Sequence, residues 1–173
     1  TFLAKSDYFT GTGPKGMLSR LFFGGTGQVP IDRSGGKASE AALTTGLRIL
    51  GKGELLALYP EGTRSHDGKL YRGRTGAARM ALHAEVPVIP VAMIGTFEAQ
   101  PTGQIKPQLR RIGVRIGKQI DFSRYYGMAE DRFVLRSATD EMMYDLMQLS
   151  GQTYQDMYAT AAKQQAREAA AGA

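Results

Sequence analysis

Leu55-Leu56-Ala57-Leu58-Tyr59-Pro60-Glu61-Gly62-Thr63-Arg64-Ser65 is the stretch that decides how this chain folds. The apolar run Leu55–Tyr59 has the length and composition of a buried strand, and Pro-Glu-Gly stops it abruptly. Downstream, Ala77, Ala78, Ala81 and Leu82 recur at helical spacing over Thr75–Ala84, and Val88–Ile94 reads as a second buried strand. Strand, helix and strand in succession are the unit of an α/β layered domain. The alternation continues upstream. Thr1–Ala4 reads as a strand, Pro14–Phe23 as a short helix with proline in its first turn, and Gln28–Ile31 as a strand. Ser39–Leu50 reads as a helix with Ala42, Leu43, Leu47 and Leu50 on its apolar stripe, stopped by Gly51 and Gly53.

Toward the C-terminus, Arg110–Ile120 alternates Ile112, Val114 and Ile116 with Arg111, Gly113 and Arg115, the pattern of a strand with one wet face. Asp131–Leu149 is a longer helix whose expected buried set is Phe133, Leu135, Met142, Met143, Leu146 and Leu149. Thr96–Gln108, with Pro101, Gly103 and Pro107, is a long loop, and Tyr125–Ala129 is a shorter break. Beyond Gly151 the chain turns rich in alanine and glutamine, as a second helix that frays would be. The expected organisation is one α/β domain over residues 1–150, with a mixed, largely parallel central sheet flanked by helices, and a C-terminal helix and fraying tail over residues 151–173.

Composition narrows the chemistry. With 42% apolar and 22% charged residues in a chain of 173, a folded core is affordable and disorder is excluded as the main state. There is no cysteine, which removes disulfides, thiolate metal sites and thiol nucleophiles. The 22 basic and 16 acidic residues leave a net charge of +6, which favours an anionic partner: nucleic acid, anionic lipid or a phosphorylated small molecule. The longest nearly apolar stretch, Val86–Ile94, is nine residues with two prolines, far short of the ~20 needed to cross a bilayer.

Three motifs invite a chemical reading. Gly11-Thr12-Gly13-Pro14-Lys15-Gly16 fits G-x-G-x-x-G, with Asp32 downstream where a ribose-binding acid would stand, but polar Lys5-Ser6-Asp7 and further residues separate it from any strand, so a flexible turn is the better reading. Thr63-Arg64-Ser65 supplies one guanidinium fork and two hydroxyls at a strand exit, where α/β folds collect active groups, and together these suit a phosphate monoester. Gly27-Gln28-Val29-Pro30-Ile31-Asp32-Arg33 sets a charged pair just past a short strand, although a surface Asp-Arg pair is worth little by itself.

Tyr59–Ser65, Gly27–Arg33 and Val86–Val91 resemble, in that order, the third, second and fourth motifs of the glycerolipid acyltransferase family, most closely its bacterial 1-acylglycerol-3-phosphate (lysophosphatidate) acyltransferases. Arg72-Gly73-Arg74-Thr75-Gly76 stands where the family often has Phe-Lys-x-Gly, so Arg74 would replace that lysine, and Lys5 is similar to another recurrent basic position. The resemblance covers roughly Phe2 to Ile120. It implies a glycerol-3-phosphate acyltransferase-like fold and transfer of an acyl group from acyl-CoA or acyl carrier protein to the 2-hydroxyl of lysophosphatidate. It implies Arg33, Glu61, Gly62, Thr63, Arg64 and Ser65 around the acceptor phosphate, Glu61 mainly as a partner that fixes this loop and only secondarily as a contact to substrate, and Lys5 and Arg74 as additional basic contacts. No metal or cofactor is implied.

The family's first motif, His-x-x-x-x-Asp, supplies the general base and its orienting carboxylate, and these 173 residues do not include it. His66 is followed five positions later by Tyr71 and His83 by Val88. The motif is therefore expected upstream of Thr1, and the chain as it stands is expected to be inactive. A non-catalytic phospholipid-binding relative would share the remaining motifs. A nucleic-acid-binding module fits less well, because the arginines sit in separate short motifs and not along one basic face. Met17, Leu18, Leu21, Phe22 and Phe23, flanked by Lys15 and Arg20, would suit peripheral attachment to an anionic membrane at its cytoplasmic face, and equally a packed core helix.

Overall fold

In chain order the elements are β1 (Phe2–Lys5), β2 (Gln28–Ile31), α1 (Lys37–Leu50), β3 (Leu70–Tyr71), α2 (Gly76–Ala84), β4 (Val91–Ile94), α3 (Thr96–Ala99), β5 (Gly113–Ile116), a 3-10 turn (Ser123–Tyr125), α4 (Arg132–Ser150), β6 (Tyr154–Gln155) and α5 (Ala159–Ala171). The computed structural model describes residues 1–5, 16–17, 21, 25, 28–31, 37–104 and 106–172. The glycine-rich motif at 11–15 lies outside the described residues, as do Asp32, Arg33, Leu18, Phe22 and Phe23.

The helices follow from local sequence. Asp131 is extended, and its carboxylate accepts from the N–H groups of Phe133 (2.8 Å) and Val134 (3.2 Å), so it caps α4. Gly151 closes the same helix in a left-handed conformation at φ 72°, donating its N–H to the Met147 carbonyl. Between these caps Leu135, Ala138, Thr139, Met142 and Met143 are buried at helical spacing. Phe133, expected in that set, is 86% exposed, because the first turn of α4 points it away from the stripe. Leu146 and Leu149, also expected in that set, are half-buried, and Ala138 and Thr139 join the buried residues instead.

Among the described residues the core has three parts. Ala78 and Leu82 of α2 pack with Ile120, Phe122 and Ala129 against Leu135, Ala138 and Met142 of α4. Leu43 and Ile49 of α1 meet Met80 of α2, with Leu56 and Leu58 packed alongside. Close approach there depends on Gly46: a Cβ at that position would lie 2.8 Å from Met80 Sδ. Tyr71 is enclosed by Ala159 and Ala162 of α5.

The strands bear out an α/β class with mixed, largely parallel pairing, spread over three two-stranded ladders among the described residues. β1 pairs with β2 in parallel and β3 with β6 in parallel, whereas β4 pairs with β5 antiparallel, Val91 opposite Ile116 and Met93 opposite Val114. The expected strands are longer than those formed. Over Leu55–Tyr59 only Ala57 makes a bridge, to Phe2, supported by bonds between Thr1 and the backbones of Leu55 and Ala57. Leu56 and Leu58 face α1 and α2, while Leu55 and Tyr59 face outward, Leu55 at 83% exposure. That segment is half-buried, not buried on both faces, because a layer packs on one side of it.

The same holds for Val88–Ile94 and Arg110–Ile120. Paired strand is confined to Val91–Ile94 and Gly113–Ile116, with a further bridge between Val88 and Ile120. Ala92 is buried against the side that α4 covers, whereas Ile89, Val91, Met93, Ile112, Val114 and Ile116 are exposed. All four residues of β5 are exposed, so its apolar side chains, expected inward, lie in water, and Arg115 bonds the Leu149 carbonyl at 3.0 Å. Thr96–Gln108, expected as loop throughout, begins with the one-turn helix α3.

Candidate functional site

The turn at Pro60–Ser65 is built on backbone geometry. Gly62 sits at φ 72° and donates its N–H to the Tyr59 carbonyl at 3.1 Å. Only glycine adopts that conformation without strain, and an added Cβ would stand 3.3 Å from Arg74 Cδ. Arg74 N–H bonds the Pro60 carbonyl at 2.8 Å, which clamps the turn to the segment leading into α2.

Each side chain of the turn then has a defined task. Glu61 accepts from the Tyr71 N–H at 3.2 Å, tying the turn to β3. Burial pushes its carboxyl up to about 7, against the opposing pull of that N–H and of the Lys163 charge. Thr63 Oγ1 accepts from Lys163 Nζ at 2.9 Å. Arg64 is exposed and donates to the Gln100 carbonyl. Ser65 Oγ donates to Asp67 at 3.1 Å, and its carbonyl accepts from Thr102 Oγ1 at 2.6 Å.

Asp67 organises the far end of the loop. Burial raises its carboxyl, but bonds from Lys69 N–H, Tyr71 Oη, the Lys69 ammonium and Ser65 outweigh this and hold it below the usual range. The Tyr71 phenol, buried and bonded to Asp67, is pushed up to about 12 and stays protonated. His66 is half-buried beside it, its Nδ1 3.5 Å from Tyr71 Oη, outside good hydrogen-bond range for an N–O pair. Ser65, His66 and Asp67 therefore do not form a nucleophile and base, since the serine hydroxyl is spent on the aspartate. His83, at the exposed end of α2, pairs with Glu130 at 2.8 Å, and Glu130 also bonds Arg79.

The structure brings Glu61, Gly62, Thr63, Arg64 and Ser65 together with Arg74. The Arg74 guanidinium lies 5.1 Å from the Tyr158 ring and donates to Thr160 Oγ1 at 3.3 Å. Lys5 is placed by its backbone at the end of β1, which runs parallel to the segment entering the turn, so both finish at the same edge. Arg33 lies outside the described residues. Lys163, Tyr158 and Thr160 were not foreseen from sequence. The available signal was the four-residue spacing of Lys163 and Arg167, which places two cations on one side of α5.

A hollow of about 310 Å³ opens next to Arg72, between α4 and β6, bordered by Asp140, Met143, Met147 and Tyr154. It is lined by none of residues 60–65, so this hollow and the Pro60–Ser65 turn are separate features. Among the described residues no three His, Asp or Glu side chains gather as metal ligands would.

A family model described as Acyltransferase matches residues 1–94. A chloroplastic 1-acyl-sn-glycerol-3-phosphate acyltransferase of Brassica napus is 36% identical over 77 residues, 44% of this chain and 22% of that protein. A probable 1-acyl-sn-glycerol-3-phosphate acyltransferase of Mycoplasma pneumoniae is 32% identical over 67 residues, 39% of this chain and 25% of its own. The crystal structure of the 1-acyl-sn-glycerophosphate (LPA) acyltransferase PlsC from Thermotoga maritima superposes with a TM-score of 0.58 at 21% identity, over 86% of this chain and 54% of that one. This likeness shows a shared fold. The chain spans about a quarter of the length of these curated relatives and about half of the solved one.

Proposed function

The chain belongs to the acyltransferase family, and on that footing we propose that its Pro60–Ser65 turn is the acceptor-phosphate site of an enzyme that acylates lysophosphatidate. The observation that carries this reading is the exposed Arg64 guanidinium beside Thr63, on a turn whose backbone is fixed by Gly62, Glu61 and Arg74. A guanidinium fork binds a phosphate monoester at two points, and a pre-set turn keeps the cost of ordering it low. Ser65 supports the turn from within through Asp67, and Arg33, Lys5 and Arg74 would add positive potential.

Holding the phosphate fixes the glycerol 2-hydroxyl relative to an acyl thioester, from acyl-CoA or acyl carrier protein. The hydroxyl oxygen attacks the thioester carbonyl, the C–S bond breaks as phosphatidate forms, and the sulfur leaves as a thiolate that takes up the proton the base has removed. The proton of the hydroxyl passes to a general base, which in this family is the histidine of His-x-x-x-x-Asp, a motif these 173 residues do not include. Peripheral attachment to an anionic membrane is supported by the net +6 and by Met17 and Leu21, both nearly three-quarters exposed. No helix among the described residues is long and apolar enough to cross a bilayer.

Calorimetric titration with 1-oleoyl-lysophosphatidate and with 1-monooleoylglycerol, presented in the same detergent micelles, tests the site. The expected result is preference for the phosphorylated lipid, with Arg64→Ala weakening that ligand about tenfold or more and leaving monooleoylglycerol unaffected. Equal binding of both lipids, or an Arg64→Ala variant that binds lysophosphatidate normally, would overturn it.

A further inference from the structure

Resting on the acceptor-phosphate reading of the Pro60–Ser65 turn, we propose that α5 supplies a further phosphate contact, Lys163, and that this second cation selects a phosphomonoester headgroup over a phosphodiester. The geometry is specific. Lys163 Nζ lies 2.9 Å from Thr63 Oγ1, which puts an ammonium one hydroxyl away from the turn that carries Arg64. The reach spans 100 residues of sequence and is set by packing: Ala159 and Ala162 bury against Tyr71, and Thr160 bonds Arg74. Lys163 keeps two ammonium hydrogens beyond the one given to Thr63.

The charge balance around it is cationic. Burial lowers the Lys163 ammonium, and the nearby Arg64 and Arg167 lower it further, opposed by Glu61. Glu61 is the carboxylate facing this group, and its own ionisation is disfavoured by burial, so it offsets the cations only in part near neutral pH. Positive groups held together against their mutual repulsion are relieved when an anion enters between them. A phosphomonoester carries about two negative charges at neutral pH and a diester one, so a pair of cations favours the monoester.

A purely structural lysine, fastening α5 to the turn, would predict different behaviour. Lysophosphatidate, lysophosphatidylglycerol and monooleoylglycerol are titrated into the wild-type chain and into the Lys163→Met, Lys163→Arg and Arg64→Ala variants, each first checked by thermal melting. Lys163→Met retains the stem and should bind lysophosphatidate about tenfold more weakly, with the monoester-to-diester preference reduced by a similar factor and monooleoylglycerol binding unchanged. Lys163→Arg should restore most of that preference. If the methionine variant does not fold, Lys163→Gln gives the same reading. Unaltered monoester preference in the neutral variant, or equal loss of all three lipids, overturns the role of Lys163. If Arg64→Ala alone loses lysophosphatidate, the acceptor site stands and Lys163 is excluded from it. If Arg64→Ala keeps it, the acceptor reading itself falls.

Discussion

The Pro60–Arg74 loop and the outer face of β4 and β5 are both reached from apolar runs of sequence, but they are satisfied in opposite ways. In the loop, polar groups are paired one by one: Glu61 to Tyr71 N–H, Thr63 to Lys163, Ser65 and Tyr71 to Asp67, Arg74 to Pro60 and Thr160. On the sheet face the backbone is paired across the ladder, and Val91, Met93, Val114 and Ile116 are left in water. The first arrangement fixes positions, which recognition of a small anion needs. The second fixes a surface and no position on it.

The largest expected consequence concerns catalysis. On the proposed reading the loop would orient an acceptor without the family's histidine base, since Ser65 is committed to Asp67 and neither His66 nor His83 has the family's spacing to an aspartate. The 173-residue chain should therefore show no transfer of labelled oleoyl groups from oleoyl-CoA to lysophosphatidate above background, a general base being worth ~100- to 10,000-fold. Measurable turnover would move catalysis into the loop and erase the contrast.

Next in size is the difference between the two faces of the β4–β5 ladder. Ala92→Asp buries a carboxylate against α4 and should cost about 3 kcal/mol in urea unfolding. Ile116→Asp, on the outer face, should change stability by no more than about 0.5 kcal/mol. Equal costs would show that the outer face is packed in solution.

A smaller effect separates Glu61 from the surface carboxylates. Its pKa lies above the ordinary value of 4.5, at about 7, so within that window the native state holds a proton that the unfolded chain has released. Stability contributed by this group is complete below 4.5 and is lost as pH rises through 7. The loss is of order 1–2 kcal/mol once solvent screening of a part-exposed carboxyl is allowed for. Glu61→Gln should flatten the corresponding slope in urea unfolding between pH 5 and 8, and an unchanged slope would place the carboxyl in water. The smallest stability change is expected from Met17→Asp with Leu21→Asp, within about 0.5 kcal/mol because both side chains are exposed, together with weaker cosedimentation with anionic vesicles at low salt. A cooperative loss of folding would show that these side chains are core.

Much of this was legible in the sequence, and the gaps have physical causes. The helices were readable because Leu135, Met142 and Met143, or Ala78, Ala81 and Leu82, repeat at a period that only a helix satisfies. Strand burial was not, because a run such as Leu55–Tyr59 reads the same whether one layer or two cover it. The turn was legible because Pro-Glu-Gly followed by Thr-Arg-Ser is more than a bend requires. Lys163 was hidden in an alanine- and glutamine-rich tail, and its position depends on Tyr71 and Ala162 meeting in three dimensions, a contact that carries no local signal.

Amide hydrogen exchange, followed by mass spectrometry with saturating lysophosphatidate and then with saturating monooleoylglycerol, locates the phosphate site most directly. Protection gained only with the phosphorylated lipid, and concentrated in peptides spanning residues 60–74 and 159–167, is the predicted result. Equal protection by both lipids, or protection confined to residues 86–94 and 110–120, would contradict it.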